Sequence, residues 1–336
     1  MRETKKIKAM TKTLADGRCG SSNAHAVPHR TAIDMRSHRA LFMPARIENM
    51  GTTIKVVSNP LLSTDTRGIP ASTLVLDEST GVTRALVNAR SLTALRTAAG
   101  SVLATTLLHP PTMAKFRHVV AFGAGSQIKF HVTQLLATYP YITHITIVNR
   151  TINDRLAVLL ANLRADHPTV DFVGISSVDD SEQVELAVRR ADCVCCATSS
   201  TAPLFPSEWV RTGTHVILVG SYKPEMVEVD SALIHRARIM VDSRDACAVE
   251  AGELINAGVS LEELVEVGEL IRRKSVHDEK WAWEPDARKI AELLSESDVT
   301  IFKSVGLGVQ DVAIAVATVD RAMEMGIGTV IPNFDI

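Results

Sequence analysis

Aromatic residues make up only 4% of this 336-residue chain. No apolar run reaches the roughly 18 residues that a membrane-spanning helix requires. Neither sign of charge prevails: the formal net charge is −2, and no dense Lys/Arg stripe runs through the sequence. A nucleic-acid partner is therefore not expected. The basic stretch 1–12 is followed by no apolar h-region, so no secretory signal is expected, and Glu3 and Asp16 interrupt the charge pattern of a mitochondrial presequence. The ending Phe334-Asp335-Ile336 is not a peroxisomal address. The expected location is the cytoplasm, with no membrane contact. Cysteine is sparse: of the five, Cys193, Cys195 and Cys196 crowd into one apolar segment. Their spacing does not suit zinc, so they are expected to pack as small hydrophobes in a buried strand, and no metal site is expected.

What the chain does have is aliphatic and small: 46% of it is hydrophobic. That composition suits a parallel sheet covered by helices on both faces. The length suggests about two domains. A short helix is expected around residues 5–14. Residues 39–88 read as a meander of strands, with β-branched or apolar runs at 39–43, 53–57 and 72–76. Turns are expected at Gly51, Asn59-Pro60, Gly68 and Gly81. Residues 92–107 have apolar positions at helical spacing. From Arg117 onward strands alternate with helices: strands at 118–122, 142–148, 170–174, 191–197, 214–220 and 239–242, and helices at 127–138 and 153–165. This alternation predicts βαβ units and a parallel sheet. Residues 243–295 read as mostly helical with a polar loop at 272–285. A last strand at 300–303 and a periodic helix at 309–325 complete the chain.

The first strand of the alternating region runs into Gly123-Ala124-Gly125-Ser126-Gln127, which opens a helix. One glycine permits the tight turn, and the second lets the backbone approach a pyrophosphate. The phosphates would meet the free N–H groups and positive dipole end of the helix. The third glycine of the usual pattern is replaced by Ile128. The next strand ends in Val148-Asn149-Arg150-Thr151, without the acid that commonly binds the ribose hydroxyls of NAD. A guanidinium there suits a 2′-phosphate, with Asn149 and Thr151 adding neutral hydrogen bonds, so NADP(H) is favoured over NAD(H).

Several segments together resemble the ornithine cyclodeaminase/mu-crystallin family: Met43-Pro44, Lys55, Leu95-Arg96-Thr97-Ala98-Ala99, the Gly123–Gln127 turn, Asn149-Arg150-Thr151, Val219-Gly220, Val241-Asp242-Ser243 and Lys303-Ser304-Val305-Gly306. The resemblance covers nearly the whole chain from about residue 28. It implies an α/β fold in which a Rossmann dinucleotide-binding domain, residues 116–305, is inserted into a smaller α+β substrate-binding and dimerisation domain, residues 1–115 with 306–336. It also implies a homodimer and hydride transfer between a nicotinamide and the α-carbon of a small amino or imino acid.

The resemblance assigns Arg96 to the substrate carboxylate, for which a fork of N–H donors is suited. Lys55 falls on a family lysine near the substrate carboxylate and nitrogen, and Arg30 on another substrate-pocket arginine. Met43 would line the pocket. Thr198, Val219 and Val305 would border the cofactor. In ornithine cyclodeaminases an Asp stands two residues after the Val-Gly pair; here Tyr222 stands there, and a phenol is a poorer base near neutral pH. Asn88 also replaces an Asp found in many relatives. Tyr222 and Asn149-Arg150 lean toward an NADPH-dependent reductase of cyclic or linear ketimino acids, with Lys55 or Tyr222 relaying a proton. An NAD(P)-dependent ornithine/lysine cyclodeaminase or amino-acid dehydrogenase is a second reading, and a non-catalytic cofactor-binding protein a third.

Overall fold

The structure is a computed structural model that describes residues 25–61, 68–275, 281–295, 297–332 and 334. The helix expected at 5–14 lies outside these residues. The chain divides into two compact units, one running to Arg96 and resuming at Gly306, the other spanning Thr97–Val305. The division after Arg96 falls earlier than the boundary at residue 115 suggested by the sequence.

The first unit is an antiparallel sheet of β1 (His25–Ala26), β2 (Thr31–Asp34), β3 (His38–Ile47), β4 (Gly51–Pro60), β5 (Ala71–Leu76) and β6 (Thr83–Asn88). Their spatial order is β1-β3-β4-β5-β6, with β2 also on β3. Side chains alternate between faces along each strand. Ala45, Ile47, Val75, Ala85 and Val87 form one face and pack on the C-terminal helix Gly308–Glu324 through Val309, Val312, Ala315, Val316 and Val319. Asn59-Pro60, expected as a turn, instead closes β4, where Pro60 pairs with His38 at the strand end. A proline is tolerated at such a margin because its missing N–H interrupts no central ladder. Gly51, also expected as a turn, is the first residue of β4.

A helix, α1 (Arg90–Leu108), carries the chain across the boundary between the units. The second unit then alternates strictly at first: β7 (His118–Phe122), α2 (Ser126–Thr138), β8 (His144–Asn149), α3 (Asp154–Asp166), β9 (Asp171–Ser176), α4 (Ser181–Arg190), β10 (Cys193–Cys196) and β11 (His215–Leu218). Then follow α5 (Ser231–Arg236), β12 (Arg238–Val241), α6 (Arg244–Glu250), α7 (Gly252–Ala257), β13 (Val265–Glu266), β14 (Ile271–Ser275), β15 (Trp281–Pro285), α8 (Ala287–Ser295) and β16 (Thr300–Lys303). The Gly308–Glu324 helix of the first unit is α9. Eight strands form one sheet in the order β13-β12-β16-β11-β10-β7-β8-β9, every pairing parallel. The order reverses between β7 and β10, which is the switch point where such sheets open a crevice at their carboxyl ends.

The central strands β10 and β11 are buried along their whole length, as largely apolar strands covered on both faces should be. Burial pushes the thiols of Cys193, Cys195 and Cys196 up, so they stay protonated and pack as hydrophobes. The polar loop expected at 272–285 is instead the antiparallel hairpin β14–β15, with Arg272 opposite Glu284. The consecutive charges Arg272-Arg273-Lys274 hid a strand pair whose Ile and Trp residues favour extended backbone. Among the described residues no helix is long and apolar enough to cross a membrane.

Candidate functional site

In the second unit, β7 ends at Phe122 and the chain turns sharply through Gly123, whose φ is +113°. A Cβ there would lie 2.9 Å from the carbonyl oxygen of Ala197, so both the conformation and the close approach exclude other residues. Gly123 N–H donates to Val148 O at 2.8 Å, which ties the turn to the end of β8. Gly125 is different. Nothing lies within 4 Å of the position its Cβ would take. Its smallness leaves a space above the N-terminus of α2, and no side chain caps that terminus. Open volume beside uncapped N–H groups fits a pyrophosphate.

Asn149 at the end of β8 turns its amide onto Thr151 O at 2.8 Å, and Ser176 Oγ donates to Arg150 O at 3.1 Å. The two bonds shape the loop that carries Arg150, whose own side chain is exposed. Asn149 thus serves the loop backbone through its side-chain nitrogen. Across the switch point, Glu228 accepts from Thr198 N at 2.7 Å, Thr198 Oγ1 at 2.9 Å and Gly220 N at 2.8 Å. This one carboxylate fastens the segments that leave β10 and β11. Burial raises its pKa, and nearby Lys303 offsets part of that rise. Val305 is held by a 3.4 Å bond from its N–H to Asp242, which also accepts from Ser304 Oγ at 2.7 Å. Val219 N donates to Cys196 O at 3.0 Å. Tyr222 is half-buried, with the Lys223 ammonium 5.7 Å from its ring centre. The preceding carbonyl, Ser221 O, accepts from Lys303 Nζ at 2.6 Å.

The first unit holds the charged cluster. Lys55 projects from β4 on the sheet face turned toward α9, directly opposite Met43 on β3, so these two share one surface. Lys55 is buried, with Nζ 2.6 Å from Asp311 Oδ2. Arg96, on α1 and also buried, donates from Nε to Asp311 Oδ1 at 3.2 Å and from Nη1 to Gln310 Oε1 at 2.6 Å. Burial draws the Lys55 pKa down to about 8; Asp311 opposes the fall, while Arg96 and Arg30 add to it. Arg30 therefore lies within electrostatic reach of Lys55. Two buried cations face one buried carboxylate, so the cluster keeps a positive excess before Arg30 is counted. Arg30, Met43, Lys55 and Arg96 meet on one unit. Gly123–Gln127, Asn149–Thr151, Thr198, Val219, Tyr222 and Val305 belong to the other.

Sequence reasoning missed Asp311, Gln310, Glu228 and the buried pair Lys303–Glu253. The signal for Asp311 was available: a lone carboxylate within the apolar run Val309–Val319 of a helix is seldom buried without a partner.

An all-parallel sheet of this order with a glycine turn at its switch point defines a Rossmann-type dinucleotide-binding fold, here in one chain with a first unit that carries a buried cation pair. The particular family is identified by sequence comparison. The model of the ornithine cyclodeaminase/mu-crystallin family matches residues 2–326, and the chain belongs to that family. It is 29% identical over 315 residues to the ketimine reductase mu-crystallin of Mus musculus, spanning 92% of this chain and 89% of that protein. It is 32% identical over 263 residues to a Delta(1)-pyrroline-2-carboxylate reductase of Colwellia psychrerythraea, spanning 76% of this chain and 75% of that protein. Among solved structures, Thermococcus litoralis Delta(1)-pyrroline-2-carboxylate reductase in complex with NADH and L-proline superposes with a TM-score of 0.81 at 22% identity, over 98% of this chain and 96% of that one. At that identity the likeness is one of fold.

Proposed function

We propose that the protein is an NADPH-dependent reductase of small α-imino acids, cyclic or linear. The observation that carries this reading is the excess of positive charge buried beside Lys55. A substrate carboxylate would complete it, and in a partly desolvated site that pairing is strong. The guanidinium of Arg96 and the ammonium of Lys55 would fix the carboxylate and hence the face that the α-carbon presents. Gly123–Gln127 would hold the pyrophosphate, Arg150 the 2′-phosphate, and Thr198, Val219 and Val305 the nicotinamide end. When bound there, the dinucleotide would supply hydride chemistry, two electrons with one proton, at the α-carbon of a protonated C=N bond, leaving an amine. A protonated imine needs orientation and a complementary field more than a strong base, so Tyr222 in place of a carboxylate is tolerable. Lys55 or Tyr222 would supply the proton at nitrogen. Relatives named as ketimine and pyrroline-2-carboxylate reductases support the choice of substrate class.

The test is oxidation of NADPH by the purified protein with pyrroline-2-carboxylate and piperideine-2-carboxylate offered separately, and NADH in parallel. Turnover with NADPH well above NADH is expected. An Arg150→Ala variant should bind NADPH about 10- to 100-fold more weakly and NADH unchanged, because one charge-assisted pairing is lost. Equal use of the two cofactors by the unaltered protein would end the NADP assignment. Oxidation of ornithine with ammonia release, and no imine reduction, would replace the reductase by a cyclodeaminase.

A homodimer paired through the first unit is part of the same proposal. The sheet face turned away from α9 carries Phe42, Pro44, Ile54, Val56, Leu74 and Leu86, which register across β3 to β6. Leu86 is 72% exposed. An apolar sheet face of this breadth marks an interaction surface. Leu86→Glu should shift the protein from dimer to monomer in analytical ultracentrifugation; an unaltered monomeric protein would refute the pairing.

A further inference from the structure

Asp311 and Gln310 sit side by side in the first turn of α9, and both are buried. The Asp311 carboxylate spans two cations that are far apart in sequence, with Oδ2 on Lys55 Nζ at 2.6 Å and Oδ1 on Arg96 Nε at 3.2 Å. Gln310 Oε1 takes Arg96 Nη1 at 2.6 Å and Leu307 N–H at 3.3 Å, so it is anchored to the start of its own helix. Engaging Nε and Nη1 together fixes the plane of the guanidinium. Gly306, just before α9, lies flat against the same group: a Cβ there would be 2.6 Å from Nη1.

We propose that Asp311, assisted by Gln310, is a positioning residue for imino-acid reduction: it sets the separation and orientation of Lys55 and Arg96 and keeps Lys55 in the charged form that grips the substrate carboxylate. The proposal rests on the imino-acid reading given above. Its logic is electrostatic. Lys55 is faced by Asp311 from α9, by Arg96 from α1 and by Arg30 from the segment before β2. Burial and two guanidinium groups all favour the neutral amine, and Asp311 alone among these opposes them. Without that carboxylate, two positive groups and a desolvated site would discharge Lys55, and the pocket would lose one of its grips on the substrate.

The isosteric Asp311→Asn and the charge-conserving Asp311→Glu test this in the full-length protein. In the unaltered protein kcat/KM should fall as pH rises through about 8, where Lys55 loses its proton. In Asp311→Asn that limb should move at least about one pH unit toward acid, and kcat/KM at pH 7.5 should fall about 3-fold or more, mainly through KM. Asp311→Glu should keep the limb near its original place. An Asp311→Asn protein with lower activity but an unmoved limb would reduce Asp311 to a packing role and overturn the proposal. A second measurement does not depend on turnover: NMR of 13Cε-labelled lysine, with Lys55→Arg to assign the signal. Lys55 should titrate near 8 in the unaltered protein and lower in Asp311→Asn. A Lys55 signal that titrates alike in both overturns the proposal, even if neither protein reduces an imine. If Asp311→Asn does not fold, Asp311→Glu decides the matter: a Lys55 titration far from 8 in that variant, with the charge retained, would likewise overturn it. Absence of imine reduction by the unaltered protein, with the Lys55 shift present, would refute the reductase reading and leave the pairing standing.

Discussion

Arg96→Ala is expected to lower kcat/KM for imine reduction by about 100-fold or more. One charge-assisted hydrogen bond to a substrate carboxylate is worth roughly 1.5–3 kcal/mol, and the fork offers more than one. Truncation also leaves Asp311 with Lys55 alone and Gln310 Oε1 without its 2.6 Å donor. The carboxylate site therefore loses both a cation and its internal order. Because carboxylate binding also orients the α-carbon, both KM and kcat should suffer. Arg96→Lys should recover only part of the loss, since a point-like ammonium cannot span Asp311, Gln310 and a substrate at once. Steady-state kinetics on pyrroline-2-carboxylate with NADPH measures this. Undiminished efficiency in Arg96→Ala would remove Arg96 from the substrate site.

The second large effect concerns stability. Lys303 ends β16 fully buried, 2.9 Å from Glu253 Oε1 on α7 and 2.6 Å from Ser221 O. It also offsets the charge of Glu228. Breaking one partner of a buried ion pair costs about 3–5 kcal/mol, because the remaining charge has left water without compensation. Lys303→Met should therefore lower the melting temperature of the second unit by on the order of 10 °C. Adding Glu253→Leu should return much of it, since an apolar replacement of both partners is often close to neutral. Glu228 would still lack its cation, so the return should be incomplete. Differential scanning calorimetry of the three proteins decides it: a single variant melting with the parent would mean that the pair contributes nothing.

The same two clusters mark how far local sequence carried. The turn at Gly123, the strand end at Phe122 and, within one residue, the strand end at Asn149 and the helix start at Ser126 follow from short-range chemistry, and residue patterns expose them directly. Lys55, Arg30 and Arg96 could be named by resemblance alone. Nothing within a few residues of Lys55 says that its partner is Asp311, because that contact exists only after β4 and α9 pack together. The hairpin β14–β15 escaped for a related reason. Its residues carry enough charge to read as a loop, and only backbone pairing across the strands establishes the extended form.

By itself, the sequence determined the alternation that builds a parallel sheet and the glycine turn between its first strand and helix, since each depends on periodicity or on residue type over a short span. The tertiary structure decided where the unit boundary falls, which carboxylate orders the cations, how Glu228 fastens the two sides of the switch point and which sheet face remains open. These are contacts between residues far apart in the chain, and their energies depend on burial and distance, which no local pattern encodes.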